Sequence, residues 1–206
     1  MSEGIVFIVD DEEPVRDSIA LLLSSVEIDS QGFAHAHAFL DGYRPDQPGC
    51  LLLDVRMPQM SGLELQQELN RRGWPLPVIF ITGHGDVPMA VEAMREGAID
   101  FLQKPFNDDE LIRRVQKALR HDAELRARTE DRQALQQRLA SLTPREREVA
   151  ERIVDGQANK VIALDLGLSE RTVELHRARV MQKMEVRGLA QLVQLWLLLS
   201  PAQPPS

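Results

Sequence analysis

Asp10, Asp11, Asp54, Thr82 and Lys104 are the residues of this 206-residue chain whose types and spacing add up to chemistry. Each stands at or just beyond the end of a short apolar run: Ile5 to Val9, Cys50 to Leu53, Val78 to Ile81 and Ile99 to Leu102. Three carboxylates drawn into one pocket repel each other, and a hard cation at their centre relieves the repulsion. Mg²⁺ suits that place, because it takes oxygen ligands in octahedral geometry and uses one or two carboxylates with waters and phosphate oxygens. The Thr82 hydroxyl and the Lys104 ammonium complete a set fitted to one task, stabilising a phosphoryl group on a carboxylate. The cations neutralise its equatorial oxygens, the hydroxyl donates to one of them, and an aspartate oxygen attacks in line. Taken singly, each aspartate reads as a surface acid at the start of a loop. At successive strand ends, the set reads as a site.

Such a pocket needs strands that finish at one sheet edge, where ligands of open parallel sheets bind. The four runs above, with a weaker one near Gln31 to Ala34, alternate with helical stretches such as Pro14 to Ser25, Gly62 to Arg72 and Val87 to Arg95. Continuous apolar strands separated by helices predict a parallel sheet covered on both faces. The expectation for residues 1–120 is a five-stranded, doubly wound, flavodoxin-like α/β domain.

From Asp108 the pattern is helical to about Leu139. Residues 120–138 lack Gly and Pro and are rich in Arg, Glu and Gln, so 121–137 reads as a helical linker. Its heptad seam (Ala118, Leu125, Arg132, Leu139) is poor, which leaves a coiled coil open and favours a solvated connecting helix. A second unit, 138–202, opens with Thr143 as N-cap, Pro144 at the first helical position and Glu146 at the third. Four helical segments follow, at about 144–154, 159–166, 170–184 and 188–199, before the stop Pro201 to Ser206.

The net charge of −8 argues against nucleic acid until it is divided along the chain. Residues 1–122 hold 21 of the 32 acidic side chains and 11 of the 24 basic ones, leaving −10 there and +2 beyond. Two parts with different partners are implied. A single cysteine, Cys50, excludes an internal disulfide. The first apolar run is too short and too acidic in its flank for a signal peptide, and Leu189 to Leu199 is too short for a bilayer span. No membrane association and a cytoplasmic location are expected.

Residues 159–178 contain a short helix, a turn at Gly167-Leu168-Ser169 and a second helix. Ser169 can cap that helix, and Gly167 suits the left-handed end of the one before it. Val173, Val180 and Met184 face inward, with His176 at their edge. Arg171, Leu175, Ala178 and Gln182 lie opposite, flanked by Glu174 and Arg179. An apolar back with an Arg-bearing front fits the major groove, although many helical hairpins share this pattern. On the last helix, Leu189, Leu192, Val193 and Trp196 form a stripe that serves either pairing or internal packing.

Val9-Asp10-Asp11-Glu12, Leu53-Asp54-Val55-Arg56-Met57-Pro58, Ile81-Thr82-Gly83 and Lys104-Pro105-Phe106 resemble the motifs of response-regulator receiver domains. Leu142 to Glu146, Val149, Gly156, Asn159-Lys160, Ile162-Ala163, Leu168-Ser169, Thr172-Val173 and His176 resemble a LuxR-type helix-turn-helix domain. The chain is therefore identified as similar to the two-component regulators of the NarL/FixJ family, particularly the FixJ branch. The resemblance implies that Asp54 is the phospho-acceptor, with Lys104 and Thr82 on the phosphate. It implies Mg²⁺ on Asp10, Asp11, Asp54 and the main-chain carbonyl of Arg56, and a switch pair of Thr82 and Phe101. Lys160, Arg171 and Arg179 would touch phosphates, and Thr172 belongs to the same DNA-binding set. Glu174, Leu175 and Ala178 would face base edges, with Glu174 replacing a common Lys and so changing the operator.

The implied function is transcriptional control. A sensor histidine kinase phosphorylates Asp54, promoter DNA is bound as a homodimer or after relief of inhibition, and RNA polymerase is a further partner. The alternative is a phosphorelay or adaptor protein with a vestigial DNA-binding tail. No enzyme is expected: an aspartate-nucleophile phosphatase needs a carboxylate two residues after the nucleophile, where Arg56 stands. His35, His37, His84 and Cys50 are assigned no chemistry.

Overall fold

The computed structural model describes residues 4–83 and 87–199, apart from the side chains at 87, 88 and 90. His84 and the stop at Pro201 to Ser206 lie outside the described residues. The chain divides into two compact units, Met1–Arg126 and Ala127–Ser206.

In the first unit, strands β1 (Ile5–Val9), β2 (Ser30–Phe33), β3 (Gly49–Asp54), β4 (Val78–Thr82) and β5 (Asp100–Gln103) form one parallel sheet in the order β2-β1-β3-β4-β5. This is the flavodoxin-like order, with its switch point between β1 and β3. Alternate residues face opposite layers. Phe7, Val9, Leu51, Leu53 and Phe80 pack on one side with Phe39, Tyr43, Leu65 and Leu69. Val6, Ile8, Leu52, Ile79 and Ile81 pack on the other with Ile19, Leu23, Leu111 and Val115. Burial on both faces explains why these strands read as continuous apolar runs rather than as alternating ones.

The covering helices are α1 (Glu13–Ser24), α2 (Ala36–Gly42), α3 (Gly62–Arg72), α4 (Val87–Arg95) and the start of α5 (Asp108–Ala140). Ser61 and Glu64 form a capping box at the start of α3, and Gly73 ends it in the left-handed region at φ 66°. Helix α2 had no distinct signature in the sequence. His35 is its N-cap, its Nδ1 accepting from the Ala38 N–H at 3.0 Å.

At 33 residues, α5 is about 50 Å long. The stretch read as a solvated connecting helix is helical, yet both its ends are engaged. Asp122 is 1% exposed and accepts from the Gly49 N–H at 2.8 Å and from Arg126 Nε at 2.7 Å. Arg126 also donates to the carbonyls of Pro45, Asp46 and Gln47. At the other end Leu135 is buried in the core of the second unit.

That second unit adds α6 (Pro144–Val154), α7 (Asn159–Leu166), α8 (Glu170–Lys183) and α9 (Leu189–Leu199). Its core holds Val149, Ile153, Ile162, Val173, Val180, Met184 and Leu192, among others. Thr143 and Glu146 form the expected capping box around Pro144. Glu146 also takes Lys183 at 2.6 Å, and these hydrogen bonds pull its carboxyl down to about 2. The stripe on α9 is partly spent on packing: Leu192 is buried and Trp196 packs against the same core, while Leu189 stays exposed. No helix among the described residues is long and apolar enough to cross a membrane.

Candidate functional site

Asp10, Asp54, Thr82 and Lys104 gather at the carboxyl edge of the sheet because β1, β3, β4 and β5 run parallel in near-equal register. Asp54 and Thr82 are the last residues of β3 and β4, while Asp10 and Lys104 are the first beyond β1 and β5. Gly62 is needed beside them, since a Cβ there would overlap the Asp54 carbonyl oxygen. The Lys104 N–H donates to the Thr82 carbonyl at 2.7 Å, which ties the β5 end to β4.

The ammonium of Lys104 bridges two carboxylates, 2.7 Å from Asp10 Oδ2 and 2.8 Å from Asp54 Oδ1. Asp54 Oδ2 accepts from the Arg56 N–H at 2.7 Å, and Asp10 Oδ1 from the Glu12 N–H at 2.9 Å. Asp10 and Asp54 are buried, the latter 8% exposed. Burial pushes the Asp54 carboxyl above its ordinary value, against the opposing pull of Lys104 and the Arg56 N–H, with Asp10 adding repulsion. Burial works to lower Lys104, but its bonds to Asp10 and Asp54 prevail and hold it above its ordinary value. The pocket thus stores a charged triad in which the two acids share one base.

Thr82 is buried and donates its hydroxyl to the Gly83 carbonyl at 2.9 Å. Phe101, two residues along β5 from Gln103, is 42% exposed. Asp11 is exposed, outside the bonded triad. Two carboxylates, not three, converge here, and no group of three or more His, Cys, Asp or Glu side chains among the described residues is arranged to hold a metal. The donor chemistry still suits a hard cation, since the pocket offers oxygens alone and one or two carboxylates meet the usual demand of Mg²⁺.

In the second unit, Ser169 caps α8 by accepting from the Thr172 N–H at 3.1 Å, and the two hydroxyls lie 2.8 Å apart. Gly167 closes α7 in the left-handed region at φ 63°. With Val173 and Val180 buried, the opposite face of α8 is solvent-exposed: Arg171, Glu174, Leu175 (51% exposed), Ala178 and Arg179. Lys160 on α7 is exposed as well, while Thr172 is half-buried. Reading the sequence missed Arg177, whose guanidinium donates to Asn159 Oδ1 at 3.1 Å and links the two helices of the hairpin. Its place between exposed and buried positions of α8 was the available signal.

The profile described as "Response regulator receiver domain" matches residues 6–116, and that of "Bacterial regulatory proteins, luxR family" matches residues 140–196. The chain is 50% identical over 193 residues to the transcriptional regulatory protein FixJ of Azorhizobium caulinodans, covering 94% of this chain and 92% of that one. It is 46% identical over 198 residues to FixJ of Rhizobium meliloti, covering 96% and 97%. Among solved structures, the response regulator StyR matches with a TM-score of 0.88 at 46% identity, covering 94% of this chain and 98% of that one. Full-length FixJ from B. japonicum matches at 0.60 and 42% identity, covering 96% and 97%. The chain belongs to the response regulators: it is a FixJ-like transcriptional regulator with a receiver domain and a LuxR-type DNA-binding domain.

Proposed function

We propose that Asp54 accepts a phosphoryl group from a sensor histidine kinase and that this modification governs pairing of the chain and its binding to promoter DNA. The observation that carries the reading is the Lys104 ammonium set between Asp10 and Asp54, at 2.7 and 2.8 Å. An Asp54 oxygen attacks the phosphorus in line, the phosphorus–nitrogen bond of the donor breaks, and the imidazole leaves with the electron pair. Asp10, Asp11, Asp54 and the Arg56 carbonyl are the groups that would hold Mg²⁺, which when bound neutralises the phosphoryl oxygens. Lys104 pairs with the charge that arrives on Asp54. The Thr82 hydroxyl turns from Gly83 to a phosphoryl oxygen, and Phe101 leaves its exposed position for the space vacated. A few charge-assisted bonds of about 1.5–3 kcal/mol each supply the roughly 5.5 kcal/mol that inverts a 1:99 population.

We assign Lys160 on α7 and Arg171, Thr172 and Arg179 on α8 to the DNA backbone, and Glu174, Leu175 and Ala178 on α8 to base edges. A carboxylate at 174 accepts from cytosine N4, and Leu175 packs on a thymine methyl. Division into 1–120, 121–137 and 138–202, activation as a homodimer, contact with RNA polymerase and a cytoplasmic site of action belong to the same reading. The test is incubation of the full chain with acetyl phosphate and MgCl₂, followed by intact mass. One phosphoryl unit is expected on the wild type and none on Asp54→Asn; equal uptake by both, or none by the wild type, overturns the assignment.

A further inference from the structure

We propose that Arg16 is a positioning residue of the acidic pocket: it locks the Asp10–Asp11 peptide so that Asp11 presents its carboxylate to a divalent cation. The inference rests on the reading of the pocket given above. Every polar atom of Asp10 is engaged. Its N–H donates to the Phe33 carbonyl at 3.3 Å, Oδ1 accepts from Glu12, Oδ2 faces Lys104, and its carbonyl accepts from Arg16 Nη1 at 2.8 Å. Asp11 is the opposite case, exposed and with no hydrogen bond or ion pair on its carboxylate among the described residues. The backbone alone decides where that side chain starts. A peptide unit is planar, so fixing the Asp10 carbonyl also fixes the Asp11 N–H and Cα. Arg16 is the side chain that fixes it.

The choice of acceptor matters for charge. Lys104 draws one oxygen from each of Asp10 and Asp54, oxygens that a metal would otherwise use. Arg16 adds a permanent positive charge beside the same acids but takes a carbonyl, so no carboxylate oxygen is consumed. It lowers the mutual repulsion of the acids while leaving their donor set intact.

The Arg16 stem runs beside β2. Gly32 on β2, paired in register with Ile8, has no positive φ that calls for glycine. A Cβ there would lie 3.6 Å from Arg16 Cδ and 3.9 Å from its Cβ and Nε. These are ordinary contact distances, so the stem passes over Gly32 on its way to the Asp10 carbonyl, and only a side chain longer than alanine would crowd it.

The test titrates MgCl₂ into the full chain by isothermal titration calorimetry, with no phosphodonor present, and then measures acetyl-phosphate uptake against Mg²⁺ concentration. Arg16→Ala is expected to raise the Mg²⁺ dissociation constant about tenfold, with uptake at saturating Mg²⁺ within about twofold of wild type. Arg16→Lys, which keeps a donor and the charge, is expected to recover most of the affinity. Gly32→Leu crowds the Arg16 stem from a position outside the pocket and should weaken Mg²⁺ in the same direction; Gly32→Ala, at ordinary contact distance, should not. Gly32→Leu and Arg16→Lys decide the matter if circular dichroism shows Arg16→Ala unfolded. Wild-type Mg²⁺ affinity in Arg16→Ala or, failing that variant, in Gly32→Leu overturns the proposal. A wild-type chain that binds no Mg²⁺ overturns the reading of the pocket itself, and the proposal with it.

Discussion

Asp54 sits at the end of a strand buried on both faces, and that burial holds its carboxyl above the ordinary value in spite of Lys104. A folded-state value above the unfolded one means that the native protein favours the protonated acid. The associated stability is therefore present at low pH and is lost as pH rises through the folded value. Asp54→Asn removes the charge and should melt at a higher temperature than the wild type at pH 7 in the presence of a chelator. The difference should shrink as pH falls through the folded value, which lies above the ordinary carboxylate range, and vanish below the unfolded one. Thermal unfolding followed by circular dichroism checks this, and an equal or lower melting temperature for Asp54→Asn at pH 7 contradicts it. The identities of Asp10, Asp54, Thr82 and Lys104 were legible in the sequence because each follows an apolar run that only a buried strand explains. Their bonding was not, since the sharing of one ammonium by two acids depends on how far β5 is drawn toward β4.

Helix α5 shows where the reading of elements succeeded and where it stopped. Absence of Gly and Pro and a first turn of Asp108, Asp109 and Glu110 made the helix legible. The buried carboxylate of Asp122 was not legible, because its partners beyond Arg126 are main-chain groups: the Gly49 N–H and, through Arg126, the carbonyls of Pro45, Asp46 and Gln47. Backbone donors and acceptors leave no mark in side-chain types, and these lie more than seventy residues away in sequence. In the same way His35 drew notice only as a histidine, although its work is to cap α2. The Asp122 pair predicts a large effect from a residue that resembles a linker acid. Asp122→Ala leaves the buried Gly49 N–H without its acceptor and the Arg126 guanidinium without its counter-charge, and should destabilise the first unit by about 3 kcal/mol. A urea midpoint lowered to match, with an unchanged slope, is the expected result. A change below about 0.5 kcal/mol, the usual range for surface positions, excludes the role.

At the scale of the whole chain, charge constrains how a modified Asp54 can strengthen DNA binding. The protein carries −8, concentrated in residues 1–122, and a phosphoryl group on Asp54 would make it more negative still. Electrostatics with the DNA backbone therefore moves slightly the wrong way, since counterion release depends on cations and adds none. On the proposed function the gain comes from pairing two readers, so that the second α8 binds at the effective concentration set by the first. On a duplex with one half-site, the acetyl-phosphate-treated chain should bind no more tightly than the untreated chain. On a duplex with two half-sites about one helical turn apart, treatment should tighten binding by about 100-fold, and Asp54→Asn should remove the difference. Arg179→Ala should weaken both duplexes alike and lower the salt slope by about one per half-site. Equal tightening on both duplexes, read by fluorescence anisotropy at fixed salt, shows instead that phosphorylation releases an inhibited single reader.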